Sequence, residues 1–183
     1  MFSVIGQALF FFLPSYVGNA MPVFLNQLEW FEGLKKPIDA GVQLGGNDLF
    51  GKTKTWRGLL GGAAAGMLIA GVQVGLYVWV PSVRDWFLFP YDSFSVLWLG
   101  FLLGLGEGLG DLLKSFFKRR LGKKSSAPFF PFDQMSFLGA LALGSLYYIP
   151  SFEHIVVIVV FSLFIPVIAN IVAYKLGWKD VWY

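Results

Sequence analysis

The sequence predicts an all-α integral membrane protein of about five transmembrane helices joined by two basic connections. Three observations predict it. Over 183 residues, apolar types reach 56% and charged types only 14%, against roughly 25% charged in an average soluble chain. Five apolar blocks meet or approach the length of about 20 residues that a spanning helix needs. Finally, all of the 14 Lys and Arg except Arg84 fall in two connections and the C-terminal tail. Aromatic residues make up 19% of the chain, and there is no cysteine, so disulfides, thiolate catalysis and Cys-ligated metal are excluded. The net charge of +3 suits anionic lipid or nucleotide.

The five helices are expected at about 2–21, 58–80, 94–113, 133–149 and 155–173, with long connections at about 22–57 and 114–132, all in one transmembrane domain. The first block is too long, and too polar at its end (Pro14, Asn19, Pro22), for a cleaved signal peptide. In the second, Gly58, Gly62, Gly66 and Ala70 recur every four residues, a spacing that lets backbones approach closely. The fourth, with its own stripe of Ser136, Ala140 and Gly144, attains a usable length only if it begins at Asp133. That start would place a carboxylate at a helix N-terminus. Basic residues gather at Lys35, Lys36, Lys52, Lys54 and Arg57, at Lys114, Lys118, Arg119, Arg120, Lys123 and Lys124, and at Lys175 and Lys179. By the positive-inside rule both long connections and the C-terminus face the cytoplasm and the N-terminus faces out.

Charge within the third helix is the most informative feature. Glu107, Asp111, Lys114 and Lys118 are spaced 4, 3 and 4 apart, so they share one face near its C-terminal end. An acidic side chain at the bilayer centre costs about 2.5–3.5 kcal/mol, so such residues need partners, a wet cavity or a metal. An intrahelical stripe pairing Asp111 with Lys114 is the simplest alternative. The basic run 118–124 continues to Phe132, Asp133 and Gln134, adding a third carboxylate near six cations. Hard oxygen ligands with phosphate-binding cations suggest Mg²⁺ and a polyphosphate. Asp111 and Asp133 are the expected ligands, with Glu107 in support.

The first connection contains Gly46-Asn47-Asp48-Leu49-Phe50-Gly51-Lys52-Thr53, which matches the P-loop pattern. It lacks the strand before and the soluble helix after that a P-loop requires. A phosphate-contacting loop formed by Lys52, Lys54, Thr55 and Arg57 is expected instead. His154, the sole histidine, falls on the opposite side and is read as an interfacial residue.

Larger blocks of the chain resemble the archaeal CDP-archaeol synthase family, a distant relative of bacterial phosphatidate cytidylyltransferases. They are Leu13-Pro14-Ser15-Tyr16-Val17-Gly18-Asn19-Ala20-Met21-Pro22, Pro37-Ile38-Asp39, the run from Gly51 to Gly58, the run from Gly110 to Gly122, and Pro131-Phe132-Asp133-Gln134-Met135-Ser136-Phe137. The resemblance implies a cytidylyltransferase that couples CTP to a digeranylgeranylglycerol phosphate ether lipid with Mg²⁺, giving CDP-archaeol and pyrophosphate. It implies Asp111, Lys114 and Asp133 as catalytic residues. Lys52, Lys54, Thr55, Arg57, Ser115, Lys118, Arg119, Arg120 and Asn19 are the implied substrate contacts. Where the family commonly has an acidic residue three positions past Asp133, this chain has Ser136. The expected partners are CTP, the isoprenoid lipid phosphate and the bilayer, without nucleic acid. Truncating Lys114 or Arg57 is expected to weaken CTP binding far more than truncating Lys179. Two other readings stand beside this one: a small cation or proton transporter using Glu107 and Asp111, and a non-catalytic membrane assembly protein.

Overall fold

The computed structural model describes residues 2–123, 129 and 132–179. Lys124 and Pro131, named above in the basic run and the last motif, lie outside the described residues. Five helices form in chain order: α1 (Phe2–Asn26), α2 (Trp56–Trp79), α3 (Val96–Arg120), α4 (Phe137–Gly144) and α5 (Phe152–Lys175). A two-residue hairpin pairs β1 (Gln43–Leu44) with β2 (Asn47–Asp48) in antiparallel register, Gln43 opposite Asp48.

Four of the helices, α1, α2, α3 and α5, are long and apolar enough to cross a membrane. The fourth element corrects the expectation of a helix over 133–149. Asp133 belongs to a separate 3₁₀ turn, Phe132–Gln134, and α4 has only 8 residues, about 12 Å of rise against a hydrocarbon core of about 30 Å. Ser145 to Ser151 continue as turn and extended chain, and Tyr147 Oη reaches Ser95 Oγ (2.8 Å) beside the N-terminus of α3. Leu146 and Ile149 of this segment are exposed, while the Tyr148 ring packs on Phe89 with centroids 4.4 Å apart.

Small residues set how closely the helices pack. Gly62 and Gly66 of α2 face Gly100 and Gly104 of α3 backbone to backbone, and a Cβ at Gly18 of α1 would stand only 3.0 Å from the Gly104 Cα. Three helices therefore converge at one point, and the α2 stripe expected to pack does so. On the other side of α3, Gly106 and Gly110 abut Gly139 and the backbone of Ser136. This seam pins α4 flush against α3 and so fixes Asp133 near the C-terminal half of α3. By contrast, α5 is the least buried of the spans, consistent with an almost wholly apolar surface turned to lipid. It rests mainly on α1, where Tyr16 Oη and Ser162 Oγ meet at 3.1 Å.

Candidate active site

The charged site forms where the C-terminal half of α3, the 3₁₀ turn before α4 and the end of the first connection meet. Lys114 Nζ lies 2.8 Å from Asp111 Oδ1 and donates to the Asp133 backbone carbonyl at 2.9 Å. One ammonium thus holds the two aspartates together. Lys54, from the first connection, pairs with the other Asp111 oxygen, and Lys118 pairs with Asp133 Oδ1 at 3.3 Å. Asp133 Oδ2 accepts from the Phe129 amide (2.6 Å). Lys118 is nearly buried, whereas Lys54, Asp111 and Asp133 each keep about a quarter of the side chain open. Asp111 and Asp133 are brought together, with Lys114 and Lys118 from α3 itself and Lys54 from the first connection.

Other expected residues take different posts. Glu107, one turn deeper on α3, is 3% exposed. Its two oxygens accept from Ser15 of α1 (2.8 Å) and from Ser136 just before α4. This corrects the expectation that Glu107 supports a metal: both oxygens are engaged, and the group ties three segments together. Ser136 is likewise 3% exposed and serves that tie. Arg57 is also corrected. It is 2% exposed and its guanidinium reaches Asn26 Oδ1 (2.9 Å), the Trp30 carbonyl (3.1 Å) and Glu32 (2.7 Å), so it closes the segment after α1 onto α2 and has little left for a nucleotide. Thr55 caps α2, its hydroxyl accepting from the Gly58 amide. Ser115 is buried, and Asn19 is half-buried on α1.

The P-loop match fails for a physical reason. Asp39, 7% exposed, accepts from the amides of Phe50 and Gly51 with one oxygen (2.9 Å each) and of Gly41 with the other (3.1 Å). Those amides would be the phosphate cradle, and a resident carboxylate fills it. Burial pushes the Asp39 carboxyl up, but these backbone donors outweigh it and hold it below the ordinary carboxylate value. Gly51 itself has φ +99° and lies under the Arg119 guanidinium, leaving no room for a Cβ. Lys52 is exposed and borders a shallow depression with Lys36, Asp48 and Trp56, apart from the cluster that Lys54 joins.

Arg119 and Arg120 join the two connections. Arg119 donates to the Lys123 carbonyl (2.7 Å) while covering Gly51. Arg120 Nη2 donates to the carbonyls of Asn47 (3.2 Å) and Asp48 (2.8 Å), clamping the hairpin to the end of α3. Among the described residues its Nε and Nη1 are buried without a hydrogen-bond partner. The sequence reading left one residue out of the site: Lys179. It bonds Asn170 of α5, and α5 packs against the Phe132–Gln134 turn that carries Asp133, so Lys179 lies on the α5 flank of the site. Its only sequence-level signal is Asn170, the polar residue of α5 that it bonds.

Among the described residues no three His, Cys, Asp or Glu side chains group as a closed metal cage. Asp111 and Asp133 nevertheless fit Mg²⁺, which takes hard oxygens from one or two carboxylates and fills its shell with phosphate and water.

The helical bundle thus ends in two aspartates joined by Lys114 and flanked by Lys54 and Lys118, the charge pattern of a membrane-protein active site. Comparison with known proteins makes the class specific: the CarS-like CDP-archaeol synthase family matches residues 1–183, and the chain belongs to that family. It is similar to the CDP-archaeol synthases of Thermococcus onnurineus, 38% identical over 178 residues covering 95% of this chain and 94% of that protein, and of Pyrococcus furiosus, 38% identical with 96% of each covered. The Methanocaldococcus jannaschii enzyme of the same name is 34% identical over 183 residues, again with 96% of each covered. A solved structure described as an intramembrane enzyme for archaeal membrane lipid biosynthesis shares the fold at TM-score 0.69 and 32% identity, over 90% of this chain and 92% of that one. Family membership disfavours the transporter reading.

Proposed function

We propose that this protein transfers CMP from CTP to a digeranylgeranylglycerol phosphate, giving CDP-archaeol and pyrophosphate, at the Asp111–Asp133 site. The observation that carries the reading is the Lys114 bridge between the two aspartates, flanked by Lys54 and Lys118. An oxygen of the lipid phosphate attacks the α-phosphorus of CTP, a new P–O bond forms, and the bond to the β-phosphate bridge breaks to release pyrophosphate. The nucleophile is already anionic, so no strong general base is needed, in keeping with a cluster built from carboxylates and lysines. What the protein must supply is alignment of two mutually repelling phosphates and neutralisation of their charge.

Asp111 and Asp133 would hold Mg²⁺, which when bound neutralises phosphate charge and orients the oxygens. Without it, Lys54, Lys114 and Lys118 neutralise these carboxylates. Lysines released from them are placed to meet phosphate oxygens. The uneven distribution of Lys and Arg supports a cytoplasmic location for the site and the C-terminus, with the N-terminus outside.

The test is turnover by purified protein in mixed micelles with CTP, Mg²⁺ and the lipid phosphate. Equal amounts of CDP-lipid and pyrophosphate are expected. Pyrophosphate released from CTP without a CDP-lipid would contradict the reading.

A further inference from the structure

After α5 the chain turns back rather than running into solvent. Gly177 takes φ +72°, and the Trp178 amide donates to the Ala173 carbonyl (2.8 Å). The Trp178 indole stands edge-on to Phe24 of α1, with ring centroids 6.2 Å apart. The tail is therefore fastened to both α5 and α1. The fastening directs Lys179 back along α5, where its Nζ donates to Asn170 Oδ1 at 2.8 Å. Asn170 is otherwise an anomaly, a polar amide in the most apolar of the spans.

The lysines of the site divide by partner. Lys54 and Lys114 pair with Asp111, and Lys118 pairs with Asp133; among the described residues Lys179 has an amide oxygen in place of a carboxylate. Burial pushes its ammonium below the ordinary lysine value, and the like charges of Lys114 and Lys54 push the same way, against weaker support from Asp111 and Asp133. α5 packs against the Phe132–Gln134 turn that carries Asp133, so a half-buried cation whose bonded partner among the described residues is a neutral amide stands at the flank of the site, placed to receive an anion.

The side from which it projects says which anion. Arg119, Arg120 and Lys54 bring the first connection over one flank of the site, whereas Lys179 rises from α5, the helix with most of its surface turned to the bilayer. We propose that Lys179, oriented by Asn170, binds the phosphate monoester of the lipid substrate as it meets the Asp111–Asp133 site from the α5 side. The assignment rests on the cytidylyltransferase reading given above.

The test is steady-state kinetics in mixed micelles, varying the mole fraction of lipid phosphate at saturating CTP and then the reverse. Lys179→Gln keeps a donor for Asn170 and removes only the charge, so the fold is retained. Its KM for the lipid phosphate is expected to rise about tenfold, the size of one charged hydrogen bond, with KM for CTP within about twofold. Lys179→Arg is expected to recover most of the loss. An unchanged lipid KM, or a rise in the CTP KM as large as that for lipid, overturns the assignment while leaving the enzyme reading intact. Absence of turnover in the unsubstituted protein would overturn the enzyme reading itself.

Discussion

Two carboxylates one turn apart on α3 meet opposite surroundings. Asp111 opens to the mouth of the site and is faced by two lysines; Glu107 is sealed among helices and held by two serine hydroxyls. Burial depth and partner type divide them. Ammonium partners can be exchanged for a metal or a phosphate, because the carboxylate stays charged and the lysine finds another anion. Hydroxyl partners on three packed segments cannot be exchanged without parting the helices. Spacing alone made the two residues look like one acidic site, and the geometry separates chemistry at the mouth from cohesion below it.

The largest effect is expected at the mouth. Asp133→Asn should lower CTP turnover on the order of 100-fold or more, since it weakens charge stabilisation at the reacting phosphates. Its melting temperature in detergent should hardly move. A large fall in both would assign Asp133 to packing as well.

Below the mouth the pattern should reverse. Glu107→Leu strands the hydroxyls of Ser15 and Ser136 at a buried junction, at a cost of about 1–3 kcal/mol for each unsatisfied group. Thermal unfolding in detergent should register this as a marked drop in midpoint. Ser136→Asp sharpens the same contrast. It sets a second carboxylate against Glu107, so stability should fall while the Mg²⁺ concentration for half-maximal turnover stays where it was. A lower half-saturating Mg²⁺ concentration would place Ser136 in the metal shell and break the division.

The smallest effect concerns the first connection, where Asp39 holds the Phe50–Gly51 turn. Its carboxyl is held below the ordinary value in the folded chain, so its contribution is complete above the unfolded value of about 3.9 and is lost as pH falls through the lower folded value. Protection of the Phe50 and Gly51 amides from exchange, relative to their intrinsic rates, should be high at neutral pH and fall in acid. Asp39→Asn should show the lower protection already at neutral pH.

Much of this was legible in the sequence because apolar length, glycine spacing and the placement of charge act locally. The spans α1, α2, α3 and α5, the Gly62–Gly66 packing face and the pairing of Asp111 with Lys114 all follow from such local patterns. Three features were not legible. The short α4 depends on its seam with Gly106 and Gly110 of α3, since its own residues are apolar enough for a longer helix. Arg57 and Lys54 are both cations beside α2, and only the fold shows that one is spent on carbonyls and Glu32 while the other faces Asp111. Lys179 lies 46 residues beyond Asp133 in a tail whose return is fixed by Trp178 and Asn170, contacts with no sequence period.

The division between mouth and interior is tested most directly by the two amide variants measured side by side, Asp111→Asn and Glu107→Gln, in the same Mg²⁺-supported CTP turnover assay. A glutamine at 107 can still accept from Ser136 and donate to Ser15, so that variant should keep turnover within a few-fold of the parent, about 1 kcal/mol or less in transition-state stabilisation. The asparagine at 111 loses the charge that balances Lys54 and Lys114 and would hold the metal, and its turnover should fall by about 100-fold or more. Equal, severe losses in both variants with unchanged thermal midpoints would contradict the account, because Glu107 would then belong to the reacting site.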